Sequence, residues 1–164
     1  MKVAPTLPPK ENETVVSELF QHLLKCWNER DALGFSALFT AQGTAIGFDG
    51  TQMNGPEEIE DALEQVFKDH ITSRYVWKIR EIRLLSPDVA LLRAVTGMVH
   101  PDRSDIDPSR NAVQSLVAMK NSSNWLISLF QNTPASFDGR AVAAMELTNE
   151  LQQVLNSIKD PMLV

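Results

Sequence analysis

The order of hydrophobic periods along this 164-residue chain predicts an α+β fold, with helices gathered on one face of an antiparallel sheet. Three observations carry the prediction. Apolar residues recur at three- and four-residue spacing as far as about residue 70; from Thr72 the period becomes strand-like and stays so to Thr133; helical spacing returns after Gly139. The links inside the strand region, Ser86-Pro87-Asp88 and Asn121-Ser122-Ser123, are hairpin-short, which makes neighbouring strands antiparallel.

Taken in order, residues 1 to about 12 hold three prolines in the first nine positions and read as a disordered leader, leaving one domain over 13–160. Val16, Leu19, Phe20, Leu23, Leu24 and Trp27 form one side of a helix ending near Asn28. Asp31 suits the N-cap of a second helix in which Phe35, Leu38 and Phe39 make a stripe, with Gly43 as its stop. Thr44–Phe48 and Thr51–Met53 flank Asp49-Gly50, a pair fitted to a tight hairpin turn. Gly55-Pro56-Glu57-Glu58 opens a third helix, with proline in its first turn and carboxylates at the positive end of its dipole. Ile59, Leu63, Val66, Phe67 and His70 give that helix its buried side.

Four strands follow, at about 73–85, 88–100, 111–120 and 124–133. The loop Pro101–Pro108 is a solvated connection or a lid. A last helix presents Leu147, Leu151, Val154, Leu155 and Ile158 on one face. In the final strand Trp125, Ile127 and Leu129 alternate with Leu126 and Phe130 before the chain reaches Gln131, Asn132 and Thr133. An apolar strand ending in a polar tip is a suitable pocket floor. The strands are apolar on both alternations, so the face away from the helices needs cover; a second copy of the sheet would supply it, which predicts a homodimer through the sheet face.

Composition narrows the function. A hydrophobic fraction of 43% and a charged fraction of 22% are globular values, and no apolar run approaches the roughly 20 residues of a membrane span. The amino terminus lacks a signal-peptide core, and a single cysteine builds no disulfide framework, so the expectation is a cytoplasmic protein. A net charge of −6 without a basic cluster argues against nucleic acid and anionic membranes as partners. Dispersed histidines give no zinc spacing, and the absence of a GxGxxG or phosphate-loop pattern leaves no cofactor to expect.

Several motifs together resemble the nuclear transport factor 2-like, or SnoaL-like, superfamily, and within it the SgcJ/EcaC family. They are Trp27-Asn28 with Asp31-Ala32, Phe35 and Leu38-Phe39; Gly50 and Gly55; Phe67 and His70; Pro87 to Arg93; Asn111 to Gln114; and Phe130 to Pro134 with Gly139-Arg140. The resemblance implies a cone-shaped fold: a strongly curved mixed or antiparallel sheet, three N-terminal helices on its concave face, and a C-terminal helix. It also implies a role in binding a small hydrophobic or polyketide-like metabolite, or cofactor-independent isomerisation, cyclisation or dehydration, or dimeric association without catalysis. Against the superfamily's steroid isomerases the chain departs: the position of the proton-abstracting carboxylate falls on Gly47 and that of the hydrogen-bonding tyrosine on Leu23.

Such a cone gathers Trp27, Phe35, Phe39, Gln114, Gln131 and Asn132 as ligand-binding candidates and Asp31 with His70 as a catalytic acid/base pair. Each has a structural alternative. Asp31 is well placed to cap a helix, His70 to sit at the negative end of a helix dipole, and the three aromatic residues to pack in the core. Amides inside an apolar strand must be paired; Gln114 and Gln131 either satisfy each other across neighbouring strands or present donors and acceptors to a ligand. Cys26 reads as a small core residue.

Overall fold

The computed structural model describes residues 9–159, with side chains from 11 to 158. Residues 1–8, which hold much of the expected leader, lie outside the described residues. The chain forms α1 (Pro9–Asn28), α2 (Ala32–Ser36), β1 (Phe39–Ile46), β2 (Gln52–Asn54), α3 (Gly55–Asp69), β3 (Arg74–Ser86), β4 (Val89–Val99), β5 (Ala112–Asn121), β6 (Asn124–Pro134) and α4 (Ala141–Lys159), with single 3₁₀ turns at Pro108–Arg110 and Phe137–Gly139. The six strands make one sheet in the order β2-β1-β6-β5-β4-β3. Every neighbouring pair is antiparallel except β1 with β6, so the sheet is mixed.

Local chemistry explains most boundaries. α1 begins before Thr14 because Asn12 is drawn into the core, where it accepts the Trp125 indole N–H at 3.4 Å. Its apolar side buries Val16, Phe20, Leu23 and Leu24 completely. Gly55, at φ +85°, turns β2 directly into α3, and the Glu58 carboxylate takes the Asn54 N–H at 2.7 Å, satisfying an amide at the helix entrance. The β1–β2 hairpin closes on Asp49-Gly50, with Gly50 at φ +89° and Asp49 accepting the Thr51 N–H at 2.9 Å.

The second helix is much shorter than its periodicity predicts. It stops at Ser36, and Phe39, expected on its stripe, opens β1 instead, opposite Ile127 of β6. The Ile127 N–H donates to the Leu38 carbonyl at 2.8 Å, so parallel pairing with β6 overrides a spacing that suits a helix.

Helices α1, α2 and α3 share a core with one face of the sheet, here the inner face, through Ala90, Leu92, Ala94, Leu116, Ala118, Trp125, Ile127 and Phe130. On the outer face α4 buries Leu147, Leu151 and Leu155 against Val76, Val95 and Ile106. Arg80 grips Glu150 of α4 through two contacts of 2.5 and 2.6 Å, and Lys78 adds one of 3.1 Å. Ile158, expected on the packed side, is exposed. The 101–111 loop is held against α4: the Ile106 N–H donates to Gln152 at 3.0 Å and the Asn111 amide to Thr148 at 2.8 Å. None of the described helices is long and apolar enough to cross a membrane.

Candidate functional site

In β6 the simple alternation read from the sequence fails at Ser128. Val117 faces Leu129 and Ala118 faces Ile127, so Ser128 is an extra, bulged residue. The bulge turns Phe130 inward with Trp125 and Ile127 and sends Leu129 outward. It also sets which polar residue at the strand's end looks into the protein: Asn132, opposite Gln114, faces inward, while Gln131, opposite Ser115, faces outward.

The inner face therefore carries a buried polar chain drawn from three strands. Gln114 of β5 is fully buried, and its amide nitrogen donates to Asn132 Oδ1 at 3.2 Å. The Asn132 amide nitrogen in turn donates to the Tyr75 hydroxyl of β3 at 3.2 Å. Gln114 Oε1 is buried with no hydrogen-bond partner, and the Tyr75 hydroxyl, which accepts from Asn132, also lies in contact with Gln114. Thr96 of β4, on the same face one pleat from Ala94, the residue opposite Gln114, likewise has a buried, unpartnered hydroxyl. Burial pushes the Tyr75 phenol up to about 12, against the opposing pull of its Asn132 and Gln114 contacts and of the Arg110 charge, so at neutral pH it is a neutral donor.

A glycine stands beside this chain. Gly47 follows Ile46, whose partner on β6 is Gln131, so it stands level with Asn132 and shares the inward alternation of buried Ala45. A Cβ there would meet nothing closer than 3.5 Å, and its backbone is not in the left-handed region. Two surface hollows, of about 210 and 420 Å³, run instead along α1 past Glu18 and Gln21 and include no residue of the polar chain.

The remaining candidates divide. Trp27 packs edge-on to Phe67 at 5.2 Å and against Tyr75 at 5.6 Å, and its indole N–H goes to the Ser73 carbonyl at 2.9 Å; it buttresses the tyrosine. Phe35 and Phe39 are buried and stack at 5.8 Å, with Phe130 at 6.3 Å from Phe35, as core residues. Gln131 is exposed on the outer face and does not meet Gln114: consecutive strand residues point to opposite faces, so Gln131 and Asn132 cannot both line one site.

The expected Asp31–His70 pair does not form. Asp31 is exposed and spends its carboxylate on the Gly34 N–H at 2.8 Å, capping α2. His70 is exposed where α3 ends, and its carbonyl accepts from Arg30 at 3.1 Å. The two make no ion pair within 4.0 Å. Arg30 also reaches the Phe67 carbonyl, so the cation expected at the end of α3 comes from a neighbouring loop, with the imidazole outside.

No family model matches the chain, and no curated protein is similar to it. Solved structures are. A cystatin-like-fold domain of unknown function from Nostoc punctiforme superposes with a TM-score of 0.74 at 21% identity, over 93% of this chain and 99% of that one. A ketosteroid isomerase-like protein from Erwinia carotovora atroseptica gives 0.61 at 19% identity, over 77% and 98%, and a nuclear transport factor 2-like protein from Shewanella oneidensis gives 0.62 at 19% identity, over 74% and 98%. The fold is nuclear transport factor 2-like.

On this nuclear transport factor 2-like sheet the inward polar chain is made of neutral groups. The buried polar side chains among the described residues are Asn12, Ser36, Thr96, Asn111, Gln114 and Asn132, with neither carboxylate nor imidazole. Amides and a neutral phenol orient and polarise a carbonyl or hydroxyl but do not exchange a carbon-bound proton. The described residues hold no cluster of three or more His, Cys, Asp or Glu fit for a metal. Burial, with the nearby negative charges of Asp31 and Glu29, pushes the Cys26 thiol up to about 11, which leaves it unreactive.

Tyr75 and Thr96 escaped the sequence reading. The available signal was the chain's single tyrosine, set in a strand on the alternation shared by Trp77 and Ile79, where a buried hydroxyl needs a partner.

Proposed function

We propose that the protein binds a small, largely hydrophobic molecule at its inner sheet face, with an oxygen of that molecule held between Tyr75 and Gln114. One observation carries this reading: a fully buried carboxamide whose carbonyl has no partner stands in a hydrogen-bonded chain with Asn132 and the Tyr75 phenol. Leaving such a carbonyl unpaired costs about 1–3 kcal/mol, a cost that a ligand donor removes. A hydroxyl or enol satisfies both ends, donating to Gln114 and accepting from Tyr75. The side chains of Tyr75 and Asn132 meet although two strands lie between theirs, a separation of about 14 Å in a flat sheet. That meeting supports a sheet wrapped as a cone around the site, in keeping with the motif resemblance to the SgcJ/EcaC family. The neutral donor set favours binding over proton-transfer catalysis.

Native mass spectrometry of the purified protein tests this. The expected result is a bound mass of small-molecule size in the wild type that is absent from Gln114→Met. Retention of the same mass by Gln114→Met and Tyr75→Phe would place the ligand elsewhere.

A second reading concerns assembly and rests on the outer face. Leu91, Val117 and Leu129 stand in register across β4, β5 and β6, Met119 and Leu126 make the next row, and α4 packs against β3, β4 and the two 3₁₀ turns. Val113 and Met119 are 38% and 44% exposed. We propose that a second copy covers this surface, forming a homodimer that leaves both inner faces free.

A further inference from the structure

The end of the sheet that holds the polar chain also holds a cation without a salt-bridge partner among the described residues. Arg110, in the 3₁₀ turn before β5, lies with its guanidinium carbon 5.4 Å from the centre of the Phe48 ring in the β1–β2 hairpin. Among the described residues it has no salt bridge, and its side chain donates no hydrogen bond. Of the basic groups of β3 and β4, Lys78 and Arg80 hold Glu150 and Arg83 and Arg93 hold Glu81, whereas Arg74, like Arg110, makes no salt bridge among the described residues. The nearest acid in sequence, Asp107, gives its carboxylate to the N–H and hydroxyl of Ser109.

Chain geometry bounds the distance to the site. Arg110 is four residues before Gln114, so their backbones are no more than about 13 Å apart by strand rise. Phe48 follows Gly47 in the turn of the β1–β2 hairpin, beyond the end of β1 at Ile46, which lies opposite Gln131. Its ring makes a cation–π contact with the guanidinium, whose fork of donors carboxylates match with two parallel hydrogen bonds. The Arg110 charge is also felt at the Tyr75 phenol.

We infer that the ligand is a small carboxylic acid bearing a hydroxyl or enol away from its carboxylate, with the carboxylate on Arg110 at the mouth and the hydroxyl on the Tyr75–Asn132–Gln114 chain. This rests on the binding site proposed above and names its ligand class. A neutral ligand of the same shape satisfies the inner polar chain but leaves Arg110 unused; the acid uses both.

The test is calorimetric titration of the full chain with 4-hydroxybenzoate and 3-phenylpropanoate, each beside its methyl ester. Wild type, Arg110→Gln, Gln114→Met and Gly47→Leu are compared, with thermal melting to confirm that each is folded. The account expects at least one acid to bind the wild type more tightly than its ester. Arg110→Gln should weaken that acid by about tenfold or more while leaving the ester within about twofold, the loss expected of a charge-assisted pair. Gln114→Met and Gly47→Leu should weaken acid and ester alike. If Arg110→Gln binds the acid as the wild type does, or if no acid is preferred to its ester, the assignment to Arg110 is overturned while the inner site stands. If Gln114→Met and Gly47→Leu bind both forms unchanged, the site itself is refuted.

Discussion

Replacing Gln114 by methionine gives the sharpest contrast between a polar chain kept for binding and one kept for stability. Methionine conserves length and volume, so no cavity opens at this fully buried position. The substitution removes the 3.2 Å hydrogen bond to Asn132 and leaves the buried Asn132 Oδ1 without that donor, a loss of about 1–3 kcal/mol. It also removes a buried carbonyl that has no partner, which itself costs the native state about 1–3 kcal/mol. The two nearly offset, so the net change lies within about 2 kcal/mol of zero. Urea unfolding followed by tryptophan fluorescence measures it, with calorimetry as the check. A loss of more than about 3 kcal/mol would refute the reasoning, since it would mean that the carbonyl is satisfied in solution and that the chain is structural. Near-unchanged stability with loss of ligand is the pattern of a site kept for function.

Other expectations follow from particular contacts. The bidentate Arg80 grip and Lys78 hold the Glu150 carboxyl down to about 2 from its usual 4.5, so the stability it confers is complete above about pH 4.5 and is lost as pH falls toward 2. Arg80 and Lys78 are 39% and 50% exposed, so solvent screening reduces the contribution to about 1 kcal/mol; Glu150→Gln should lower the urea midpoint at pH 7 and match the wild type near pH 2. Asp31→Ala should cost about 1 kcal/mol through loss of the α2 cap, and His70→Ala less than about 0.5 kcal/mol, neither changing ligand affinity in titration. Val117→Asp, at the centre of the outer apolar row, should convert a dimer to a monomer in multi-angle light scattering; a monomeric wild type at micromolar concentration would remove the assembly proposal.

The strands were legible because alternation is a strong signal: all four predicted strands match β3 to β6 to within one or two residues at each end. What misled lay in tertiary pairing and in irregularity. Phe35, Leu38 and Phe39 are spaced for a helix, yet β6 captures Leu38 and Phe39 as the start of a parallel partner. The bulge at Ser128 has no sequence mark beyond one polar residue in an apolar run, and it decides that Phe130 and Asn132 face inward. Gln114 and Asn132 were legible as buried amides in need of partners. Gln131 failed because its immediate neighbour already occupied the inward alternation. Asp31 and His70 share a helix-to-helix neighbourhood that sequence order suggests, but capping and chain direction leave both outside. Tyr75 was hidden because its partner on β6 is 57 residues away and is brought within reach only by the shape of the sheet.

Selective isotope labelling of glutamine and asparagine side chains tests the central claim most directly, because it reads the amides of Gln114 and Asn132 during titration with the wild-type ligand. The account predicts that these two side-chain resonances shift together and saturate with the same dissociation constant as the ligand itself, while that of exposed Gln131 stays in place. Saturable binding that leaves the Gln114 and Asn132 amides unmoved would contradict it.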